Sequence, residues 1–576
     1  MEWGMKRMAE GLRGKGVIAG IAVGRIMMAG QNIDGYLKGY QPGNKDIENQ
    51  KIKDAIKAVV AVLQENIKTL QAKNMVEQAA ILEAHRMLAQ DPMMEETMHT
   101  KVEELANAPL AVLDTAKEQA AIFEQMDDPY FRERATDIRD VGKRIAKYIL
   151  GVKEPEIGDD PVILCGHEIE PSVIANIPTD KIAGVVLGQG STTCHAVIIA
   201  KARAIPTVVG IGERLAEIPD GALVILDGER GDILVRPDEM TLADYREKIK
   251  QQEERKAYYA ELAPLPAVTT DDVRVELCAN IGNHMDVDAA LTYGAEGVGL
   301  FRSEFVFMGR QDIPTEEDQF KAYKEAVEKC GGKICVIRTM DIGGDKPLPY
   351  LNIPPEDNPF LGYRALRISL QRRDLFLPQL KAILRAGVYG KAAIMAPMVI
   401  NVAEFKKVLD FVEEAKLELS HEGKAFSENV QVGIMVETPA AAIMTPELAK
   451  YVDFFSIGTN DLVQYTLAVD RGNSSISYLY NHFNPAVLRL IQRTAQAAKD
   501  NGIWCGMCGE MASDPLAAVL LLAMGLSELS MSAPSIPRVK EKIRSVSSVQ
   551  AKELLADVMK MEDGEEIKAY LQKVLA

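Results

Sequence analysis

After Ala267 the sequence repeats one pattern eight times: an apolar, β-rich run followed by a segment of helical character. Segments such as TEEDQFKAYKEAVEKCG, between the runs, place apolar residues at helical spacing. Eight alternating strand and helix units predict a (β/α)8 TIM barrel, with a doubly wound open sheet as the alternative. The eight runs are VRVELCANIG, GVGLFRSEF, KICVIRTMDIGG, AAIMAPMVI, VQVGIMVETP, VDFFSIGTND, IWCGMCGE and ELSMSA.

The residues before the barrel predict a second α/β domain that is interrupted by helices. Residues 1–30 and 151–237 carry short strand patterns, among them DPVILCG, IAGVVLG, IPTVVG and a hairpin that turns at Asp227-Gly228. Residues 31–150 place apolar positions at helical spacing on charged segments, which predicts an inserted helical bundle. The charged stretch at 238–266 ends in prolines and predicts a helical linker to a barrel domain over 267–576.

The composition excludes several classes of protein. A chain of 576 residues exceeds what one hydrophobic core supports, so we expect several domains. The net charge of −17 argues against a nucleic-acid partner, which would require a basic face. Seven cysteines are sparse and odd in number, which favours a reducing cytosol. The glycine-rich GVIAGIAVGR start predicts a strand rather than a signal peptide, and no other apolar run reaches the ~18 residues of a membrane span. We therefore expect a cytoplasmic protein.

Charged side chains follow the predicted barrel strands at the points where those strands end. Arg302, Arg338, Glu437 and Asp461 come directly after apolar runs, and Arg471 lies on a loop beyond Asp461. In a TIM barrel the carboxyl ends of the strands meet at one rim, which holds the active site.

The types of residue at this rim indicate its ligand. One arginine alone is more often part of a surface ion pair, but three arginines at one rim match the bidentate geometry of phosphate and carboxylate. Two carboxylates suit a hard cation such as Mg²⁺, which bridges phosphate oxygens. The sequence therefore predicts a small, multiply anionic phosphate ester bound through arginines and Mg²⁺.

Cys505 and Cys508 form a Cys-x-x-Cys pair in the seventh run. Such a pair can be redox-active or half of a zinc site, but the chain has no second pair to complete a zinc site. At a barrel strand only the residue at the strand end faces the mouth, so Cys508 could donate a proton to a carbon that develops negative charge. A buried, inert thiol is an equally good interpretation from the residues alone.

His195 lies in GQGSTTCHAVIIAKARAIPTVVG, after small residues and before an apolar run. A helix that begins here would point free backbone N–H groups at the imidazole and disfavour its protonated form. Such a histidine is suited to accept a phosphoryl group, which a helix N-terminus also stabilises. A satisfied structural histidine is the alternative, and metal ligation is disfavoured because no ligand follows at i+4.

These motifs together resemble enzyme I of the bacterial phosphotransferase system, the phosphoenolpyruvate–protein phosphotransferases. The resemblance runs through GSTTCHAVIIAKARAIPTVVG, GVGLFRSEFVFM, IRTMDIGGDKPLPY, NPFLGYRALR, GIMVETPAAA, FFSIGTNDLVQYTLAVDRGN and GMCGEMASDP, in the family's order. It implies that His195 takes the phosphoryl group on Nε2 and that Cys508 protonates the enolate to give pyruvate. It also implies that Glu437 and Asp461 bind Mg²⁺.

The same resemblance implies the remaining contacts and partners. By this resemblance, the residues expected to contact the substrate are Arg302, Arg338, Asn460, Asp461 and Arg471. The helical insert, with AAILEAHRML, resembles the docking surface for the phosphocarrier HPr. The family acts as a homodimer through its barrel, and the linker is expected to let the histidine swivel between the barrel and HPr.

Two other functions are disfavoured. A dikinase or phosphoenolpyruvate synthase shares this kind of barrel and histidine but has a nucleotide-binding domain upstream. Fewer than 200 residues precede His195, and they contain no phosphate-cradling glycine loop. A redox or regulatory protein that uses Cys505 and Cys508 would leave the arginines and carboxylates at the rim unexplained.

Overall fold

The structure is a computed structural model. It describes residues 10–29, 33–72, 76–124, 129–152, 160–169, 173–174, 177–189, 194–308, 310, 312–343, 348–351, 353–354, 356–473 and 475–575. The chain divides into two compact units, residues 1–253 and residues 254–576.

The first unit contains an eight-stranded mixed sheet in the order β1-β8-β7-β3-β4-β5-β6-β2. Strands β3 to β6 pair in parallel, and β1, β2, β7 and β8 join in antiparallel fashion. The hairpin predicted at Asp227-Gly228 joins β7 to β8. The strands are β1 (Glu10–Arg13), β2 (Lys15–Ile18), β3 (Ile21–Met28), β4 (Val162–Gly166), β5 (Ile182–Leu187), β6 (Thr207–Val209), β7 (Leu223–Asp227) and β8 (Asp232–Val235).

Six helices of the described residues lie between β3 and β4 in the chain, and five of them, α2 to α6, share a hydrophobic core of their own. Helices α2, α5 and α6 are amphipathic, and their apolar faces pack together through residues such as Ile52, Val112 and Ile145. The helices are α1 (Ile33–Gly39), α2 (Lys45–Ala72), α3 (Val76–Ala89), α4 (Pro92–Leu105), α5 (Ala108–Glu124) and α6 (Pro129–Ile149).

Two further helices lie later in the chain, one between β5 and β6 and one after β8. Helix α7 (His195–Ala202) lies on one face of the sheet, where Val197 and Ala200 join the core of Leu164 and Val185. Helix α8 (Glu239–Leu262) is charged along most of its length, and the division between the two units falls within it.

The second unit is a closed barrel of eight parallel strands. Each strand pairs with its sequence neighbours, and the last strand closes on the first through pairs such as Glu528 with Glu276. The strands are β9 (Glu276–Ile281), β10 (Val298–Arg302), β11 (Cys335–Arg338), β12 (Ala392–Ala396), β13 (Gln431–Val436), β14 (Phe454–Ile457), β15 (Trp504–Met507) and β16 (Glu528–Met531).

Helices surround this barrel and cover its outer face. They are α9 (Asp286–Thr292), α10 (Glu304–Phe307), α11 (Glu316–Lys329), α12 (Leu366–Ser369), α13 (Arg373–Ala386), α14 (Val402–His421), α15 (Pro439–Ile443), α16 (Thr445–Leu448), α17 (Thr459–Leu467), α18 (Pro485–Asn501), α19 (Pro515–Met524), α20 (Ile536–Arg544), α21 (Ser548–Val558) and α22 (Gly564–Val574).

Side chains along the barrel strands point alternately to the surrounding helices and to the barrel interior, which gives two separate cores. Ile434 and Val436 of β13 face the helices, whereas Met435 between them joins the barrel interior with Leu300 and Phe454. Because both faces of every strand are buried, the strands read as nearly continuous apolar runs. This explains why the sequence identifies them.

The predicted fold class is confirmed: a mixed α/β sheet with inserted helices is followed by a (β/α)8 barrel. The predicted domain limits stay a prediction, because a division into two compact units does not test the limits within each unit. Within the described residues, no helix combines the length and the apolar character needed to cross a membrane.

Candidate active site

The carboxyl ends of the barrel strands bring the predicted rim residues together. Arg302 and Arg338 end β10 and β11 and lie side by side in the register of these strands. Glu437 follows the last residue of β13, and Asp461 lies in the first turn of α17, just beyond β14. Cys508 follows the last residue of β15.

Arg338 is the most tightly held of these side chains. Its Nη2 lies 2.6 Å from Oε1 of Glu304, and its Nη1 lies 3.0 Å from Oδ2 of Asp341. Burial alone would lower the pKa of Arg338, but the surrounding carboxylates raise it above that of free arginine. The guanidinium therefore stays charged, and its Nε has no hydrogen-bond partner among the described residues.

Arg364 joins the site although the sequence analysis did not assign it a role. Its Nη2 lies 2.9 Å from Oδ1 of Asp341, and its Nη1 lies 3.3 Å from Oδ1 of Asp461. Nη1 also donates to the hydroxyl of Tyr465 at 3.2 Å. Its Nε, like that of Arg338, has no partner among the described residues. Two buried guanidinium groups thus share Asp341 and each keep one unused donor.

Glu437 is almost fully buried beside these charges. Its Oε1 accepts a hydrogen bond from the backbone N–H of Met398 at 2.6 Å, and its Oε2 has no partner among the described residues. Burial raises the pKa of Glu437 to about 8, and the carboxylates of Asp461 and Asp341 act in the same direction, against the two arginines. An unpartnered carboxylate oxygen near a second carboxylate fits a site that gains a cation.

No group of three or more His, Cys, Asp or Glu side chains suited to a metal ion occurs in the described part of the chain. A cation held by Glu437 and Asp461 would thus take its other ligands from substrate and water. That is the usual coordination of Mg²⁺ in phosphate-binding sites.

Asn460 and Arg471 lie on the same side of the rim. The side chain of Asn460 accepts a hydrogen bond from the backbone N–H of Glu510 at 2.9 Å, which fixes its orientation. Arg471 approaches Asp461 with Nη1 4.0 Å from Oδ2, and its side chain keeps 34% exposure. Arg302 is half-buried and has no ion-pair partner among the described residues. Arg302 and Arg471 therefore remain available to a ligand.

The two cysteines of the Cys-x-x-Cys pair lie on opposite faces of the barrel wall. Cys505 packs with the outer core, whereas Cys508 packs with the barrel interior beside Met435 and Phe454. Burial raises the pKa of Cys508 to about 12, so it is a protonated thiol at neutral pH. A disulfide between them would need both side chains on one face, so this arrangement does not support a redox pair.

His195 begins α7 in the other unit, as the sequence predicts for its backbone. Its side chain lies outside the part of the chain that the structure describes. Cys194 precedes the helix in an extended conformation and makes no side-chain capping bond. The first turn of α7 contains no acidic residue, so its backbone N–H groups face no competing anion on this helix.

Sequence reasoning found the side chains at strand ends but missed several that bind to them. Asp341 and Glu304 follow β11 and β10 as closely as the chosen residues do, so position alone could have found them. Arg364 comes from a segment between strands, where no periodic pattern marks it.

Comparison with protein families identifies three matching regions. Residues 13–134 match the N-terminal domain of PEP-utilising enzymes, and residues 158–231 match the mobile domain of these enzymes. Residues 256–548 match the PEP-binding domain of PEP-utilising enzymes, which contains the rim described above.

Individual relatives match along most of their length. A phosphoenolpyruvate-protein phosphotransferase of Geobacillus stearothermophilus is 44% identical over 503 residues, which is 87% of each chain. One of Staphylococcus aureus is 44% identical over 514 residues, 88% of this chain and 90% of the relative. A solution structure of an Enzyme I protein is 30% identical, covering 42% of this chain and 99% of its own, with a TM-score of 0.36. At the identity and coverage of the two relatives, the chain belongs to the phosphoenolpyruvate–protein phosphotransferase family.

Proposed function

We propose that the chain transfers the phosphoryl group of phosphoenolpyruvate to its own His195, releases pyruvate and then passes the group to HPr. One observation carries the proposal at the barrel rim. Two buried arginines with unused Nε donors lie beside a buried carboxylate that has an unpartnered oxygen. This arrangement suits a ligand that brings both negative charge and a counter-cation.

The substrate is held by the side chains of the rim. Arg302, Arg338 and Arg471 supply guanidinium donors for the phosphate and carboxylate groups, and Asn460 supplies its amide N–H. Arg338 is already fixed by Glu304 and Asp341, so it binds substrate without losing side-chain freedom. Such positioning and charge neutralisation are most of what phosphoryl transfer requires.

The residues at the rim also fit a divalent metal ion, which this family of enzymes uses. Glu437 and Asp461 would hold it, and we assign Mg²⁺ because both ligands are hard carboxylates. When bound, the ion neutralises charge on the phosphate oxygens. Glu437 must give up its proton for this, because burial and the neighbouring carboxylates raise its pKa to about 8 in the structure.

His195 is the acceptor in this proposal. A neutral imidazole nitrogen attacks phosphorus, and the bond from phosphorus to the enol oxygen breaks. The electron pair passes to the enolate, whose carbon takes a proton from the Cys508 thiol to give pyruvate. The start of α7 supports the role, because backbone N–H groups at a helix N-terminus stabilise a phosphoryl group.

The helices of residues 31–150 are the proposed docking surface for HPr. Large apolar side chains lie exposed there, among them Met87 at 64%, Met93 at 73% and Ile122 at 59%. Exposed methionines of this kind suit a surface that binds and releases a protein partner. We also propose a homodimer through the barrel and a cytoplasmic location, in which the seven cysteines stay as free thiols.

The first test is incubation with phosphoenolpyruvate and Mg²⁺ in the absence of nucleotide, followed by intact mass and pyruvate measurements. We expect one acid-labile phosphoryl group on the wild type and none on His195→Ala. His421→Ala, an exposed histidine at the end of α14, is the matched control and should be phosphorylated as the wild type is. An adduct that persists in His195→Ala would contradict the proposal.

A further inference from the structure

A cavity lies at the amino-terminal mouth of the barrel, opposite the rim that holds the candidate active site. Its volume is about 1200 Å³. The first residues of five strands line it: Glu276 of β9, Ala392 of β12, Gln431 of β13, Trp504 of β15 and Glu528 of β16. The proposed phosphoryl transfer uses none of these residues, so the cavity calls for a separate explanation.

Glu528 is buried at the base of this cavity, with 5% of its surface exposed. Neither carboxyl oxygen has a hydrogen-bond partner among the described residues. The Cys278 thiol and the Met507 amide influence the pKa of this group, but neither meets hydrogen-bond geometry. Burying an ionisable group without partners is costly, so such groups rarely persist without a ligand or a proton.

The neighbouring strands make room for this carboxyl group. A Cβ atom on Gly299 of β10 would lie 2.2 Å from Oε1 of Glu528, and one on Gly506 of β15 would lie 2.1 Å from Oε2. Any side chain at either position would displace the carboxyl group. The two glycines therefore provide the space that the carboxyl group of Glu528 occupies.

The buried atoms of the cavity that lack a partner among the described residues are all hydrogen-bond acceptors. Besides the two oxygens of Glu528, Oε1 of Glu296 is buried without a partner among the described residues. Two nearby bases are already engaged: Arg274 lies 2.5 Å from Oε2 of Glu296, and Lys333 donates to the carbonyl of Ala295 at 2.9 Å. The third base of the lining, Lys391, is exposed to solvent. A ligand that satisfies the three buried oxygens must therefore bring donors.

Trp504 supplies an apolar wall beside these acceptors. Its indole stacks on Phe454 with ring centroids 4.3 Å apart and planes 5° apart, and its Nε1 donates to Gln431 at 3.2 Å. A fixed indole packs well against a short aliphatic chain and attracts a cation to its face.

We propose that this cavity binds a small aliphatic amine in its ammonium form, with Glu528 and Glu296 accepting its hydrogen bonds and Trp504 packing on its chain. Burial raises the pKa of Glu528 to about 8, so the group carries a proton at neutral pH and releases it to solvent when it pairs with an ammonium. The proposal is independent of the phosphoryl transfer, which takes place at the other mouth.

The test uses Trp504 as its own reporter. The chain has two tryptophans, Trp3 and Trp504, so Trp3→Phe leaves Trp504 as the only fluorophore of its kind. In that background the full chain is titrated with 1,4-diaminobutane and, separately, with butanedioate, which has the same carbon chain length and the opposite charge. We expect a saturable fluorescence change with the diamine and none with the dicarboxylate. Equal responses to both, or no saturable response up to about 10 mM diamine, would overturn the proposal.

Three variants locate the binding. Glu528→Gln keeps the size of the side chain but cannot carry the counter-charge, and it should weaken diamine binding at least tenfold. Glu553→Gln, which removes an exposed carboxylate of α21 outside the lining of this cavity, is the matched control and should change binding less than threefold. Diamine affinity that is the same in Glu528→Gln as in the parent overturns the proposal. If circular dichroism shows Glu528→Gln to be unfolded, Glu296→Gln replaces it, with at least threefold weaker binding expected and unchanged binding again overturning the proposal.

Discussion

Arg364 shows how strongly the proposed phosphate site depends on a residue that no strand end provides. Its side chain is 3% exposed and bridges Asp341 and Asp461, which themselves contact Arg338 and Arg471. One guanidinium therefore connects both sides of the rim. A planar, forked group holds two carboxylates in fixed directions, which a point-like ammonium does not.

Replacing Arg364 by lysine tests this role. A lysine ammonium lacks the rigid fork that directs separate N–H groups at Asp341 and Asp461, so the geometry of the rim is lost. We expect kcat/KM for phosphoenolpyruvate in autophosphorylation to fall by about 100-fold. We expect the free energy of unfolding to fall by about 2 kcal/mol. Stopped-flow pyruvate release and urea unfolding measure the two effects.

Arg372→Lys is the control for that substitution. Arg372 pairs with Asp374 at 2.7 Å but is 37% exposed, so its ion pair contributes little. This variant should stay within threefold of the wild-type rate and about 0.5 kcal/mol of its stability. An Arg364→Lys variant that keeps the wild-type rate would show that catalysis does not require a guanidinium between Asp341 and Asp461.

At the scale of elements, one buried carboxylate joins the start of α2 to the start of α5. Oε2 of Glu48 accepts from the backbone N–H of Ala108 at 2.9 Å and from the hydroxyl of Tyr40 at 2.7 Å. Its Oε1 accepts from Gly43 at 2.8 Å and from Lys51 at 2.7 Å. This side chain therefore links the starts of two of the proposed docking helices, in addition to the hydrophobic core that they share.

Glu48→Gln should loosen these helices in a pH-dependent way. Burial alone would raise the pKa of Glu48, but Lys51 and the other donors lower it to about 2. A lowered pKa stabilises the fold above about pH 4.5, the ordinary value, and this stabilisation is lost as the pH falls towards 2. At pH 7 we expect the variant to lose about 2 kcal/mol, a roughly 30-fold drop in amide protection of α2 and α5 by hydrogen exchange.

The difference between Glu48→Gln and the wild type should shrink at pH 3. Glu103→Gln on α4 removes an exposed carboxylate that pairs with Lys45. It should leave the amide protection of α2 and α5 unchanged at both pH values. Equal protection in Glu48→Gln and wild type at pH 7 would mean that the carboxylate does not hold the helices together.

The elements themselves were largely predictable, whereas their side-chain contacts were not. All eight barrel strands were expected, because strands buried on both faces read as short apolar runs between helices. The contact of Arg364 with Asp461 joins positions 97 residues apart, and that of Glu48 with Ala108 joins positions 60 apart. Periodicity describes neighbours along one element and contains no information about such pairs.

At the scale of the whole molecule, the rim arginines and His195 belong to different compact units. Substrate binding should therefore be separable from phosphoryl acceptance. We expect His195→Ala to bind phosphoenolpyruvate with Mg²⁺ within threefold of the wild-type affinity, whereas Arg338→Lys should bind at least 30-fold more weakly. Isothermal titration calorimetry of the two full-length variants measures this. Loss of binding in His195→Ala would mean that the histidine completes the substrate site.

The proposed homodimer is a second prediction at this scale. Sedimentation equilibrium of the full chain should give a mass near twice 63.2 kDa at micromolar concentration, with dissociation on dilution. His195→Ala should sediment as the wild type does, since the proposed dimer contacts lie in the barrel. A monomer at all concentrations would contradict this part of the proposal.

The insertion of the helices between β3 and β4 has a consequence for how such enzymes change partners. These two strands are neighbours in the sheet, with Arg25 opposite Val162, so the whole set of helices occupies a single crossover. Replacing the helices of that crossover by others would leave the pairing of β3 with β4 unchanged. The position of α7 on the sheet would then also stay the same. If these helices bind the carrier as proposed, carrier recognition can be inherited, lost or grafted as one unit while the proposed phosphoryl-accepting histidine keeps its scaffold.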